Sequence, residues 1–272
     1  MILQHRFQNK TDMHNMEYID YQVADRVANI TLNRPDKRNA FNEGLVTELK
    51  EALQAAEHDN YVKIIRLKAN GQVFSAGADL AYLQKMQAYS KEQNIADTTE
   101  LAALFNYIYT HPKIIVAQVE GHAIAGGCGL ATLCDFSFAV PEANFGYSEV
   151  KIGFIPAIVM VFLLRKIGEG KAKELLLTGK LLNAEEAKNF GLINAVISSD
   201  KIEDEVSNFM QKICVECSQE ALAITKKMIA EVQQKSIEDA LQYAAEMNAL
   251  ARTTADCKKG IASFLTREKL VW

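Results

Sequence analysis

Residues 114–153 constrain the fold more than any other stretch of the chain. Ile114 to Val119 is a continuous apolar run of the length of a buried strand. A turn follows at Glu120-Gly121-His122. Ala125-Gly126-Gly127 then stands directly before Cys128 to Leu133, which reads as a short buried helix. Strand, glycine turn and helix start together aim free backbone N–H groups at a ligand oxygen. Glycine there removes the Cβ that would hold the ligand away. Further along, Glu149 sits among apolar neighbours. A carboxylate in that setting, near backbone donors, points to proton transfer beside a stabilised oxyanion.

A second unit has the same plan. Val62 to Leu67 predicts a strand, and Gly71-Gln72-Val73-Phe74-Ser75-Ala76-Gly77-Ala78-Asp79-Leu80 is a glycine loop running into a helix. Asp79 stands at the N-cap position, a role that suits it better than catalysis. Each unit then presents one backbone N–H, Ala78 in the first and Gly126 in the second.

The remaining elements fit around these two units. Met16 to Leu32 alternates and breaks at Ala24-Asp25, predicting a hairpin of 17–23 and 26–32. Helices are predicted at 43–58, 92–110 and 155–167, the last with Pro156 in its first turn. A strand at 135–140, short helices at 171–177 and 184–190, and a strand at 192–197 complete the body. Beyond Lys201 strand signals cease, and helices are predicted at 201–216, 219–233, 236–251 and 255–266. The class is therefore α/β. It comprises an extension at 1–15, a body of strand–strand–helix units at 16–200, and a C-terminal helical subdomain at 201–272.

Composition narrows the partners. The 272 residues are 49% hydrophobic and 24% charged, enough for a sizeable core, and the net charge of −4 argues against nucleic acid or an anionic membrane. The longest apolar run, Ile155 to Leu164, is about half the length of a bilayer crossing. Five scattered cysteines without a secretory leader fit a reducing, cytoplasmic setting. Cys214 and Cys217 lie on a predicted helix with no second pair, so no metal is expected. Cys128 reads as a small core residue rather than a nucleophile, His122 as a satisfied histidine rather than a general base, and Asp135 as a structural hydrogen-bonding residue.

The chain resembles the crotonase superfamily, the enoyl-CoA hydratase/isomerase family, over about residues 16–272. The matching pieces are Asn33-Arg34-Pro35 with Asn39-Ala40, Phe74 to Asp79, Gly121-His122-Ala123 with Gly126-Gly127, Cys134-Asp135, Phe145-Gly146 with Glu149, Gly153, Pro156, Ala187 to Leu192, and Gly260 to Phe264. The resemblance implies a right-handed spiral of ββα units whose C-terminal helices build homotrimers, often paired into hexamers. It implies an acyl-CoA thioester as substrate, in fatty acid metabolism, with no cofactor beyond the coenzyme A of the substrate. The oxyanion-hole amides would be those of Ala78 and Gly126, with Ala76, Gly77, Asp79, Leu80 and Gly127 beside the substrate. Lys37, Arg38, Phe264 and Lys269 would meet the CoA phosphates and adenine, the last two from a neighbouring subunit. The alternative for these four is an ordinary solvated surface.

Two departures bear on the activity. Typical hydratases of the family hold a water between two glutamates. Glu149 falls on the second, whereas Gly129 stands at the first. A single carboxylate can still hydrate a 2-enoyl-CoA. It also suits a Δ3,Δ2-enoyl-CoA isomerase, and a non-catalytic acyl-CoA-binding protein is a third reading. After Pro156, Ala157 to Leu164 replaces a glycine-rich stretch. The run Ser148 to Ala157 resembles a bacterial subset that includes methylglutaconyl-CoA-type hydratases, which raises a branched or carboxylated acyl chain.

Overall fold

In the computed structural model the chain passes back and forth between two sheets, and this passage brings its loops together. Residues 16–272 are described; the expected extension at 1–15 lies outside them. β1 (Ile19–Ala24) and β2 (Val27–Leu32) form the predicted hairpin, turning through Asp25 and Arg26, both at positive φ. α1 (Glu43–His58) is capped by the Asn42 side chain, which accepts from the Leu45 N–H, and it buries Leu45, Leu49, Leu53 and Ala56 along one face. β3 (Ile64–Ala69) lies parallel to β2. β4 (Val73–Ser75) then crosses to the second sheet, followed by α2 (Leu80–Met86) and α3 (Lys91–Thr110).

The plan repeats. β5 (Ile114–Val119), buried along its whole length, leads to β6 (His122–Ile124) and α4 (Gly126–Leu133). β7 (Phe136–Ala139) and β8 (Asn144–Gly146) lead to α5 (Ala157–Thr178). β9 (Leu181–Asn183), α6 (Ala184–Phe190) and β10 (Ala195–Val196) close the body. Among the described residues, one sheet has the order β1-β2-β3-β5-β7-β10 and the other β4-β6-β8-β9. These are the strand–strand–helix units expected from sequence.

The second sheet corrects the sequence reading. The sequence places Val73–Ser75 in the glycine loop and His122 in a turn, yet both belong to strands of this sheet, as does Asn144–Gly146. Three residues are too few to display a period of two, so alternation cannot reveal them. The strand expected at 192–197 shortens to two residues. α5 spans two predicted helices, joined across Gly168 at φ 75° and ψ 166°.

After the body come α7 (Ile202–Glu216), α8 (Gln219–Val232), α9 (Ile237–Thr253) and α10 (Ala255–Thr266), close to their predicted bounds. α7 buries Ile202, Val206, Met210 and Cys214 and packs on β5 and β7. Lys63 Nζ donates to the carbonyls of Cys214, at 2.8 Å, and Cys217, so this Cys pair serves the fold through its backbone. α9 and α10 bury no residue within the chain; Leu241, Leu250, Ile261, Phe264 and Leu265 are exposed.

Candidate active site

The register of the second sheet places the two glycine loops side by side. β4 pairs with β6 in parallel, Val73 opposite His122 and Ser75 opposite Ala123, so the chain leaving each strand arrives at the same edge. Phe41 then fixes the first loop. Its N–H donates to Gly77 O at 2.6 Å, and its carbonyl accepts from Asp79 N at 2.9 Å. Because Phe41 bonds both neighbours of Ala78, the Ala78 N–H points away from it.

Gly77 allows the loops to touch. It holds φ +83°, and a Cβ there would lie 2.8 Å from Ala125 Cβ and 3.1 Å from the Gly126 nitrogen. Gly126 opens α4, where a first-turn N–H has no intrahelical acceptor. Ala125 precedes it at φ 52° and ψ −126°, without a side-chain cap, and is held in that sparsely populated conformation by donating to Gly146 O at 2.7 Å. The site therefore brings two open amides, those of Ala78 and Gly126, to adjoining loops.

A polar brace behind the first loop was marked by the sequence only as a matching piece. Asn39 is fully buried; its Nδ2 donates to Asn70 O at 2.9 Å and Val73 O at 2.8 Å. Ser75 Oγ donates to Asn39 O at 2.8 Å. Asp79 is the N-cap of α2, accepting from Ala81 N at 2.8 Å and Tyr82 N at 3.3 Å, and it pairs with Arg34 at 2.6 Å. Burial raises the Asp79 pKa, but Arg34 and the two amides outweigh it and hold the carboxyl below its ordinary value. The cap role expected for Asp79 is the one it performs.

Glu149 arrives from the other side. β8 pairs with β6, Ala123 opposite Phe145 and Ile124 opposite Gly146, so the segment after β8 runs beside the start of α4. Glu149 is 9% exposed, and its Oε2 is buried without a hydrogen-bond partner. Desolvation raises its pKa, opposed by a hydrogen bond from its own backbone. A buried carboxylate oxygen without a hydrogen-bond partner costs desolvation free energy, and such a group calls for a functional explanation. Nearby, Tyr147 OH and Thr132 Oγ1 lie 3.1 Å apart. Burial pushes the Cys128 thiol up to about 12, so it stays protonated as a core residue.

The other expected residues are placed as follows. Gly127 lets α4 pack closely on β4, since a Cβ there would lie 2.3 Å from Ser75 O. Ala76 N donates to Arg38 O at 3.0 Å, which sets the exposed Lys37 and Arg38 beside the first loop. Leu80, 75% exposed, stands at the rim. Phe264, 84% exposed, rides on α10, which packs on α8 and α9, and Lys269 lies on the segment that follows it. His122 is exposed and accepts from Asn144 N at 3.2 Å through Nδ1. Asp135 accepts from Ile115 N and Lys226 Nζ, both at 2.7 Å, a structural role as expected. At the position of the missing glutamate, Gly129, the space is filled by Val159 and Phe105.

Comparison with known proteins adds the following. The model for the family described as enoyl-CoA hydratase/isomerase matches residues 22–272. A Thermus thermophilus protein provisionally named an enoyl-CoA hydratase is 40% identical over 89% of this chain and 95% of its own length. The crotonyl-CoA hydratase of Syntrophomonas wolfei is 33% identical over 93% of this chain and 96% of its own. The crystal structure of an enoyl-CoA hydratase from Shewanella pealeana superposes with a TM-score of 0.89 at 29% identity, covering 95% of this chain and 97% of that one.

Proposed function

The chain belongs to the enoyl-CoA hydratase/isomerase family, and on that premise we propose that it adds water across the 2,3 double bond of an enoyl-CoA thioester. The observation that carries this reading is Glu149 Oε2, buried without a hydrogen-bond partner on the segment that leaves Gly146, whose carbonyl accepts from Ala125 N at the start of α4. The thioester oxygen accepts from the Ala78 and Gly126 N–H groups. Glu149 takes a proton from water as the oxygen attacks Cβ, and electron density moves to the thioester oxygen as an enolate. The same carboxyl then returns the proton to Cα, and the thioester carbonyl reforms. Each amide contributes to stabilising the enolate; losing one donor in such a site costs roughly 3–4 kcal/mol. The N-terminal end of α4 adds its partial positive charge. Nothing in this sequence of steps requires a cofactor beyond the coenzyme A carried by the substrate.

A second reading is favoured by one observation, the packing of Val159 and Phe105 where a first glutamate would stand. A single acid can move a proton from C2 to C4 or back, which is isomerase chemistry. One measurement separates the two. Purified protein given a 2-enoyl-CoA bleaches the conjugated-thioester absorbance if it hydrates. Unchanged absorbance, with a 3-enoyl-CoA converted to its conjugated isomer, rejects hydration. Binding without either reaction, unaltered by Glu149→Gln, would identify a non-catalytic acyl-CoA-binding protein.

The exposed apolar residues of α9 and α10 support assembly as a homotrimer or a pair of trimers, which would also bring Phe264 and Lys269 of one subunit to another's CoA. Among the described residues no helix is long and apolar enough to cross a membrane. The five free cysteines fit a reducing compartment such as the cytoplasm. Relatives named for crotonyl-CoA and for 2,3-dehydroadipyl-CoA, the latter from Escherichia coli at 31% identity, leave the acyl chain open.

A further inference from the structure

The peptide that carries the Ala78 N–H is held by a strap from much earlier in the chain, residues 38–41. Ala76 N donates to Arg38 O at 3.0 Å, Ser75 Oγ to Asn39 O at 2.8 Å and Asp79 N to Phe41 O at 2.9 Å, while Phe41 N donates back to Gly77 O at 2.6 Å. A trans peptide points its N–H opposite to its carbonyl. With Gly77 O fixed on Phe41, the Ala78 N–H is turned away from the strap.

Gly77 is gripped at its other peptide as well. Its N–H donates to Ser75 Oγ at 3.3 Å, and the same hydroxyl donates to Asn39 O. Gly77 holds φ +83° and has no side chain to limit its backbone. The strap and the Ser75 hydroxyl therefore set the direction of the Ala78 amide.

Asn39 keeps the strap in place. Its side chain is fully buried and uses both ends of its carboxamide. Oδ1 accepts from Arg34 N at 2.8 Å, which closes the turn that begins the strap. Nδ2 donates to Asn70 O at 2.9 Å, just after β3, and to Val73 O at 2.8 Å, at the start of β4. Asn39 itself stands at φ 50°, a left-handed backbone that asparagine tolerates better than most residues. A fully buried side chain committed to backbone groups does not touch substrate. Loop stability alone would account for a buried asparagine here, but the strap it anchors ends on both peptide groups of Gly77.

We propose that Asn39 is a positioning residue for the reaction: through Ser75 and Phe41 it fixes the peptide between Gly77 and Ala78, and with it the direction in which the Ala78 amide meets the thioester oxygen. The proposal rests on the enoyl-CoA reading above and deepens it. A hydrogen bond weakens steeply as its angle departs from linearity, and the loss grows with the charge on the acceptor. A misdirected amide therefore costs more in the enolate than in the bound thioester. The Gly126 amide opens α4 behind Ala125, which is anchored on Gly146 O instead of on the strap.

The test uses butanoyl-CoA labelled with carbon-13 at its thioester carbonyl, which is saturated and so is not hydrated, bound to the intact protein. Isotope-edited difference infrared spectra read the carbonyl stretch, which falls as the oxygen accepts hydrogen bonds. The wild type should lower the stretch relative to free butanoyl-CoA. Asn39→Gly keeps the left-handed backbone and removes the carboxamide. It should lose about half of that lowering, one of two donors being misdirected. Its kcat on 2-butenoyl-CoA should fall roughly ten- to a hundredfold, while Kd for butanoyl-CoA changes by less than about threefold. Asn183→Ala, which uncaps α6, should lower the melting temperature without moving the stretch. Asn39→Asp keeps the acceptor for Arg34 and loses both donors, and serves if the glycine variant does not fold. A stretch in the Asn39 variant equal to that of the wild type, a turnover loss matched by an equal loss of binding, or an equal effect of Asn183→Ala overturns the proposal and leaves the enoyl-CoA reading intact. If the wild type does not bind butanoyl-CoA, or binds it without lowering the stretch, the oxyanion-hole reading fails, and this proposal with it.

Discussion

Val159 occupies the space that a side chain at Gly129 would need: a Cβ on Gly129 would lie 2.3 Å from Val159 Cγ1 and 3.0 Å from Phe105 Cε1. Glycine here and valine there are a matched pair. The absence of a side chain at 129 is therefore built into the packing of α4 against α5, and on the proposed reading a glutamate restored there alone should not recreate a two-carboxylate site. Gly129→Glu should lower stability by about 1–3 kcal/mol, the usual cost of overpacking, without raising hydration. Gly129→Glu with Val159→Ala should recover part of the loss. Denaturant melts of the single and double variants measure the coupling, and simple additivity would argue against direct contact.

Glu149→Gln keeps the shape and removes the base. Activity should fall roughly a hundred- to ten-thousandfold, the range for loss of a general acid–base. Stability should hold or rise, because the neutral amide no longer carries the desolvation cost of the buried carboxylate. Steady-state turnover and thermal melting on one preparation check both halves.

The acid limb of kcat/KM should have its inflection above 4.5, the ordinary value for glutamate, because burial raises the Glu149 pKa and only the ionised form serves as base. The stability consequence has a definite sign. A carboxyl whose folded pKa lies above its unfolded one favours the folded state fully below the unfolded pKa, and that contribution is lost as pH rises through the folded pKa. Wild-type stability should therefore decline relative to Glu149→Gln across that window. A pH series of melts on the two proteins is the measurement; parallel curves would contradict the assignment.

Gly127→Ala tests the contact between the loops. A Cβ there would lie 2.3 Å from Ser75 O, a backbone atom that cannot rotate aside. α4 would have to move away from β4, separating the amides of Ala78 and Gly126. Both stability and kcat should fall, and thioester binding should weaken less than kcat, since the amides act chiefly on the enolate. Single-turnover rates and binding titrations on the variant distinguish the two effects.

Asp79→Ala removes a cap and an ion-pair partner in one step. The cap alone is worth about 1 kcal/mol, and Arg34 would be left facing a vacancy at the start of α2. The Asp79 pKa is held below its ordinary value. Its contribution is therefore present above the unfolded pKa and is lost as pH falls through the folded one. The difference between wild-type and variant melting temperatures should narrow at acid pH.

Much of this was legible in the chain itself. The hairpin follows from alternation, α1 and α3 from apolar residues at helical spacing, and β5 from a continuous apolar run of strand length, while the four C-terminal helices lie where strand signals cease. Glu149 stands out because it falls on the second glutamate position of the family resemblance; taken alone it reads as a surface carboxylate. The short strands β4, β6 and β8 were not found, since three residues carry no periodic signal and their pairing is set by partners far along the chain. The Asn39 brace was likewise hidden: a buried asparagine looks like any loop asparagine until its acceptors at 70 and 73 are folded onto it.

Local sequence thus determined which residues could supply an amide, an acid or a cap, because backbone freedom and side-chain chemistry belong to single positions. Tertiary structure decided which of them meet. The approach of Gly77 to Gly126 and the closing of position 129 by Val159 both depend on contacts between segments distant in the chain, and such contacts leave no mark on the local order of residues.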